Sequence, residues 1–317
     1  MEGTRMTYWQ NLPPEYRARL EELAFTMLAC RDAFFETADK FHWEPCAGSP
    51  AADDARALPT PDPLISNPTG ETGHRLLAEV VQSFLLSARG HLGGLAGLYV
   101  TGEVAFSPPV LIRSILENCA HAVWVLGQEG EPADDRLARC YLEEFISAQQ
   151  ARTNSKFMRG ERHESYIRAD KSYLALIDQI KGRFPGASVR KLKEGQLLGQ
   201  ELPGLTESVK LMYSLAEAAG GTVTQDEASG IYGFLSNMTH PTLYPARQRR
   251  RWHDDPKHGH RVAYLDVGLG PVEAEARVAL SNFYNALTYV TSYFGWPTTI
   301  IESLETRIEA TIPNFFR

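Results

Sequence analysis

Apolar residues recur every three to four positions over most of this chain, and strict alternation is nearly absent, so the pattern predicts helices almost throughout. Over residues 14–41, Leu20, Leu23, Ala24, Met27, Leu28, Phe34, Phe35, Ala38 and Phe41 follow helical period and predict a long amphipathic helix. The stretch 45–73, PCAGSPAADDARALPTPDPLISNPTGETG, then breaks the pattern. Its Pro, Ala, Asp and Gly content predicts an irregular, mobile connection between an N-terminal helix (1–44) and a main helical domain (74–317) that packs with it. Residues 74–102 are helical again, with Gly90, Gly93, Gly94 and Gly97 in the second half. Each glycine costs about 1 kcal/mol relative to alanine inside a helix, so either a neighbouring helix packs closely there or the helix kinks near Gly93.

The segment 107–127, SPPVLIRSILENCAHAVWVLG, organises the rest. It is apolar nearly all round, Ser107 is placed to cap it, and Pro108 sits where a missing N–H is harmless. Further helices are expected over 134–157, 166–184, 205–219, 271–296 and after Pro297, and the charged stretch 187–204 reads as a surface loop with one short helix. Thr224 and Glu227 form a capping box for a helix running to His240. From Pro241 to Gly270 the chain reads as irregular, with room for a short strand in RVAYLDVGLG. The expected fold class is all-α, a single bundle of eight or nine helices.

Composition narrows the function classes. A net charge of −7 over 317 residues does not attract phosphate backbones globally, which leaves only a local basic run for that role. Cys30, Cys46, Cys119 and Cys140 lack CxxC or metal-knuckle spacing, and the first residues lack the apolar core of a signal peptide. No apolar run reaches the length of a membrane span. A soluble cytoplasmic protein with reduced, mostly buried thiols is expected.

Chemistry concentrates in two stripes. Arg113, Glu117 and His121 stand four residues apart on the organising helix, so they share one face, and charge on so apolar a helix must be paired, hydrated or used. One reading is structural, with Arg113 and Glu117 as an ion pair and His121 bonded to a neighbouring helix. Another makes Glu117 the partner of a proton-transferring His121, with Arg113 holding an anionic group. A third is metal ligation, but one helix offers only two donors. The others would come from Glu143 or Glu144, His240, or His258 and His260, and the pair of Glu-x2-His motifs of carboxylate-bridged bundles is absent. Neither metal nor cofactor is expected.

The second stripe is Tyr232, Ser236 and His240 with Asn237 beside them, a polar wall able to face the first. Ser236 lies mid-helix without the turn that exposes a hydrolase serine. The basic run Arg247, Arg249, Arg250 and Arg251, followed by Trp252 and His253, offers phosphate binding. Its alternative is a solvated loop balanced by Asp254 and Asp255. No Walker, dinucleotide or kinase motif occurs.

The helix RSILENCAH, with Arg-x3-Glu, and the later helix YGFLSNMTHP, with Tyr-x2-Leu-Ser-x3-His-Pro, resemble a family of uncharacterised bacterial all-helical proteins over roughly Leu76 to His240. That family is similar in outline to the HEPN helical superfamily. The resemblance implies ribonucleases of toxin and defence systems with an Arg-x4-6-His motif, a spacing met here by Arg247 to His253 and Arg251 to His258. Arg113 and His121 are separated by seven intervening residues, one more than that motif allows. Three functions follow as expectations. The leading one is a pocket between the two stripes that binds a small polar or anionic ligand, with Glu117, His121 and His240 as acid–base groups and Arg113, Tyr232, Ser236 and Asn237 as binding groups. The others are a HEPN-like ribonuclease using the basic run and a structural interaction module. Nucleic acid is the less favoured partner, no membrane partner is expected, and a homodimer is left open.

Overall fold

In the computed structural model, residues 12–66, 68, 70–255 and 259–316 are described. Their helices are α1 (Pro14–Phe41), α2 (Pro50–Ala57), α3 (Gly73–Thr101), α4 (Pro108–Leu126), α5 (Ala133–Arg159), α6 (Glu164–Arg183), α7 (Val189–Lys193), α8 (Leu205–Ala218), α9 (Gln225–Thr239), α10 (Tyr244–Gln248), α11 (Leu269–Phe294) and α12 (Thr299–Thr311). Two antiparallel hairpins interrupt them, β1 (Gln196–Leu197) with β2 (Gln200–Glu201), and β3 (Arg250–Asp255) with β4 (His260–Leu265). The described residues are therefore essentially all-α, 70% helical, with twelve helices among them where eight or nine are expected. The surplus is α2, α7 and α10, which are eight residues or shorter.

Helix α3 lies between α1 and α4, while α4 also packs on α8 and α11. Ile112, Ile115, Leu116, Cys119 and Ala120 of α4 are wholly buried, and Leu20, Leu23 and Met27 of α1 join the same core. Ser107 has helical dihedrals and makes no capping bond, so the first turn of α4 relies on Pro108 and Pro109, which have no N–H to satisfy. Thr224 does cap α9, accepting from the Glu227 N–H at 3.3 Å while Glu227 reaches back to the Thr224 N–H at 2.9 Å. Among the described residues no helix is long and apolar enough to cross a membrane.

Helix α3 runs unbroken to Gly102, so the glycine cluster marks no kink. A Cβ on Gly93 would lie 3.3 Å from Arg31 Cδ on α1, and one on Gly94 3.5 Å from Leu111 on α4. Gly90 and Gly97 face open space. Close approach thus explains the middle pair only.

The stretch 45–73 corrects the sequence expectation, because it carries a helix and supplies core. Ser49 accepts from the Ala52 N–H at 3.1 Å and Pro50 takes the first position of α2. Ala51, Leu58 and Ile65 are buried. Asp54 is buried too, where it accepts the Tyr293 hydroxyl at 2.7 Å and Arg136 Nη1 at 3.3 Å. Arg136 also donates to the carbonyls of Leu126 (2.6 Å), Gln128 (2.5 Å) and Glu131 (2.8 Å). Asp62, likewise buried, pairs with Arg183 Nε at 2.8 Å. Gly127 has φ +60°, and a Cβ there would overlap Arg139 and Glu131, so this turn requires glycine.

The 241–270 stretch is more ordered than its sequence suggests. It holds α10 and the β3–β4 hairpin, in which Trp252 stands opposite Ala263 and Arg250 opposite Leu265. His258 lies outside the described residues.

Since Gly90 and Gly97 sit in helix with free space around them, Gly90→Ala and Gly97→Ala should each stabilise the protein by about 0.5–1 kcal/mol. Urea denaturation curves check this, and an unchanged or lowered midpoint for both would contradict it.

Candidate functional site

The polar stripe of α4 forms the seam along which this helix reaches solvent, in contact with α9 and with α5. Ser114, Glu117, Asn118 and His121 are each half-buried there. At the α9 side, Arg113 Nε donates to Glu117 Oε1 at 2.7 Å, Nη1 to Thr239 Oγ1 at 2.7 Å and Nη2 to the Tyr232 hydroxyl at 3.3 Å. Tyr232 in turn donates to Glu117 Oε1 at 2.9 Å. The expected facing of the two stripes is therefore present at Arg113, Glu117 and Tyr232.

These four groups largely satisfy one another. Burial works to lower Arg113, but the hydrogen bonds and charge of Glu117 and Tyr232 together outweigh it and leave the guanidinium raised. Burial, followed by the neighbouring Glu117, pushes the Tyr232 phenol up. Thr239 was not among the expected site residues. It stands seven positions after Tyr232, which is the same helix face, and that spacing is the signal that identifies it.

His121 turns the other way. Its Nδ1 lies 2.5 Å from Glu143 Oε1 on α5, and both side chains are largely enclosed, 14% and 12% exposed. The Phe84 ring is 5.4 Å from the imidazole and Trp124 is 6.4 Å away. A carboxylate can only accept, so the contact places the histidine proton on Nδ1, and Nε2 has no partner among the described residues. Glu144, next to Glu143, is raised by burial and by the nearby Glu79 and Glu143. Of Glu143 and Glu144, considered from sequence only as extra metal donors, Glu143 thus becomes the partner of His121.

The remaining expected groups are scattered. Ser236 Oγ is 3.3 Å from His240 Nε2 at the exposed end of α9, and Asn237 and His240 are themselves exposed. Neither makes a bond to the Arg113 network. Of the basic run, Arg249 is buried and cannot bind phosphate as it stands, because it donates to the Val104 carbonyl at 2.5 Å and pairs with buried Glu275 on α11. Arg247, Arg250 and Arg251 are exposed. Arg251 is 3.5 Å from Asp266 and Arg261 is 3.3 Å from Asp254, while Arg250 lies over the Trp252 ring at 4.6 Å.

Among the described residues no three His, Cys, Asp or Glu side chains are arranged to hold a metal. The single Glu-x2-His spacing in the chain, Glu71 to His74, straddles the start of α3. Glu71 pairs with Arg75 at 3.1 Å and His74 is buried. Cys30, Cys119 and Cys140 are buried and unpaired, and burial raises all three thiols, which leaves no activated thiolate at any of them. Clefts of about 720, 500 and 340 Å³ open beside Arg183, between α8 and α11, and between α9 and α11. None of the three is lined by Arg113, Glu117 or His121.

Comparison with protein-family models, with curated proteins and with solved structures gives no match.

Arg249 and Arg250 are adjacent in the chain but differ in burial, so their roles are separable by stability. Arg249→Ala strands Glu275 and should cost about 3–5 kcal/mol, whereas Arg250→Ala should change stability by less than about 0.5 kcal/mol. Equal effects in urea denaturation would contradict the assignment. Burial, opposed by Arg249, pushes Glu275 up to about 7. The folded state therefore holds a proton that the unfolded chain releases at lower pH. The resulting stability is present in acid and lost as pH rises from the ordinary carboxylate range through about 7. Glu275→Gln should flatten this loss between about pH 5 and about pH 8, and an unaltered slope would exclude Glu275 as its source.

Proposed function

We propose that the α4 seam is a ligand-binding, acid–base site in which His121, oriented by Glu143, is the proton acceptor. One observation carries the reading. Nδ1 of His121 is held 2.5 Å from Glu143 while Nε2 is unpartnered, the arrangement in which a neutral imidazole presents its lone pair. Glu117 lies one helical turn from His121, so the Tyr232 phenol and Arg113 guanidinium border the same strip.

The charge balance supports a different ligand from the one the stripe suggests in isolation. Arg113 already faces Glu117, Glu143 meets His121, and Glu144 stands within electrostatic reach of Glu143 and Glu79. Carboxylates outnumber guanidinium, so a small polar molecule with hydrogen-bond donors, such as an amine or amide, is favoured over an anion.

Ligand-observed NMR with a panel of small amines, amides and carboxylates tests this. Amine or amide binders should appear, and His121→Gln and Glu143→Gln should each weaken them by about tenfold or more while leaving the far-UV circular dichroism unchanged. Binding unaffected by both variants, or binding confined to carboxylates, would sink the proposal.

A further inference from the structure

Beyond the Arg152 clamp, the α5–α6 hairpin projects from the bundle. Arg152 Nε meets Asp170 Oδ1 at 2.5 Å, with its guanidinium 5.7 Å from the Tyr166 ring and 5.2 Å from the Tyr173 ring. Past that point the turn is closed by its own backbone. Gly160 at φ +82° donates to the Lys156 carbonyl at 2.8 Å, His163 N–H donates to the Gly160 carbonyl at 3.2 Å, and His163 Nδ1 accepts from the Ser165 N–H at 3.2 Å. The tip is preorganised by these bonds.

On this tip Phe157 is 80% exposed and Met158 75% exposed, the two most exposed large apolar side chains among the described residues. They are adjacent, so they form one apolar point. Arg159 and Arg162 stand at the tip and Arg168 and Lys171 follow on α6, all exposed and none with an ion-pair partner among the described residues, while Lys156 is paired with Glu161 at 2.5 Å. Residues 152–171 hold six basic and three acidic side chains in a chain whose net charge is −7.

We propose that this tip is a peripheral docking point for an anionic lipid surface. Phe157 and Met158 enter the headgroup region and the free arginines meet the phosphates. The charge pattern selects this partner. The rest of the chain is net negative and is repelled by such a surface, so approach is tip-first. A second copy docking tip to tip would bring the two sets of unpaired cations together. Nucleic acid would use the arginines and a stacked Phe157, but it offers Met158 no apolar phase to enter.

Co-sedimentation of the full chain with vesicles supplies the test. Wild type should bind vesicles of equimolar phosphatidylglycerol and phosphatidylcholine, release them as salt is raised, and ignore pure phosphatidylcholine. Phe157→Ser with Met158→Ser, and separately Arg159→Gln with Arg162→Gln, should each reduce binding by about tenfold or more. These side chains are exposed, so unchanged circular dichroism confirms that folding is intact. Trp252→Ser, on the ribbon, should bind as wild type. Absence of binding by wild type, binding that survives the Phe157/Met158 double variant, or binding lost only with Trp252→Ser would each overturn the proposal.

Discussion

A single buried guanidinium, that of Arg136 near the start of α5, fixes the relation between parts of the chain that apolar contact alone leaves free to slide. It binds the carbonyls of Leu126, Gln128 and Glu131, and so closes the end of α4 and the loop after it. Its remaining partner is Asp54 on α2, which also holds Tyr293 of α11. Hydrophobic burial is non-directional, but a planar donor fork saturated by five acceptor atoms is not. The site inherits this constraint. His121 precedes Leu126 by five residues and Glu143 follows Arg136 by seven, so the pinned turn sets the register at which imidazole and carboxylate meet.

What the sequence made legible follows from the kind of force involved. The nine longer helices are held by apolar faces, and apolar faces have a period that can be read. The capping box at Thr224 was readable because both of its partners lie within three residues. Helix α2 was not, since PAADDARA has no apolar period and its hold on the body is Asp54, whose partners are 82 and 239 positions away. The β3–β4 hairpin was legible only as a possible short strand in RVAYLDVGLG, for a related reason. Its described side chains are largely exposed, so no inward alternation betrays the pairing.

The α4 stripe shows the same division inside one helix. Local spacing correctly joined Arg113 to Glu117, because an i,i+4 pair is decided by the helix itself. It could not assign His121, which is equally spaced from Glu117 but sits where α5 brings Glu143 closer. Once Arg113 is committed to Glu117, Tyr232 and Thr239, the helix carries no spare cation for an anionic ligand. The carboxylates around His121 then decide the local field. The chemistry of the stripe is set by its tertiary partners rather than by its own composition.

Pairing also reverses the ranking of the two basic projections. By residue count the ribbon after Pro241 is the conspicuous one, with four arginines in five positions from Arg247 to Arg251. In the folded chain its cations are largely spent, Arg249 on Glu275, Arg251 on Asp266 and Arg261 on Asp254. Residues 152–171 spread their charge more thinly and attract no notice as a motif, yet among the described residues Arg159, Arg162, Arg168 and Lys171 have no ion-pair partner, on the hairpin that carries exposed Phe157 and Met158. A charge already neutralised at contact distance projects little field beyond a Debye length, whereas an unpaired one at a protruding tip meets a charged surface first. Availability, not abundance, makes the α5–α6 tip the stronger anion-seeking surface of this protein.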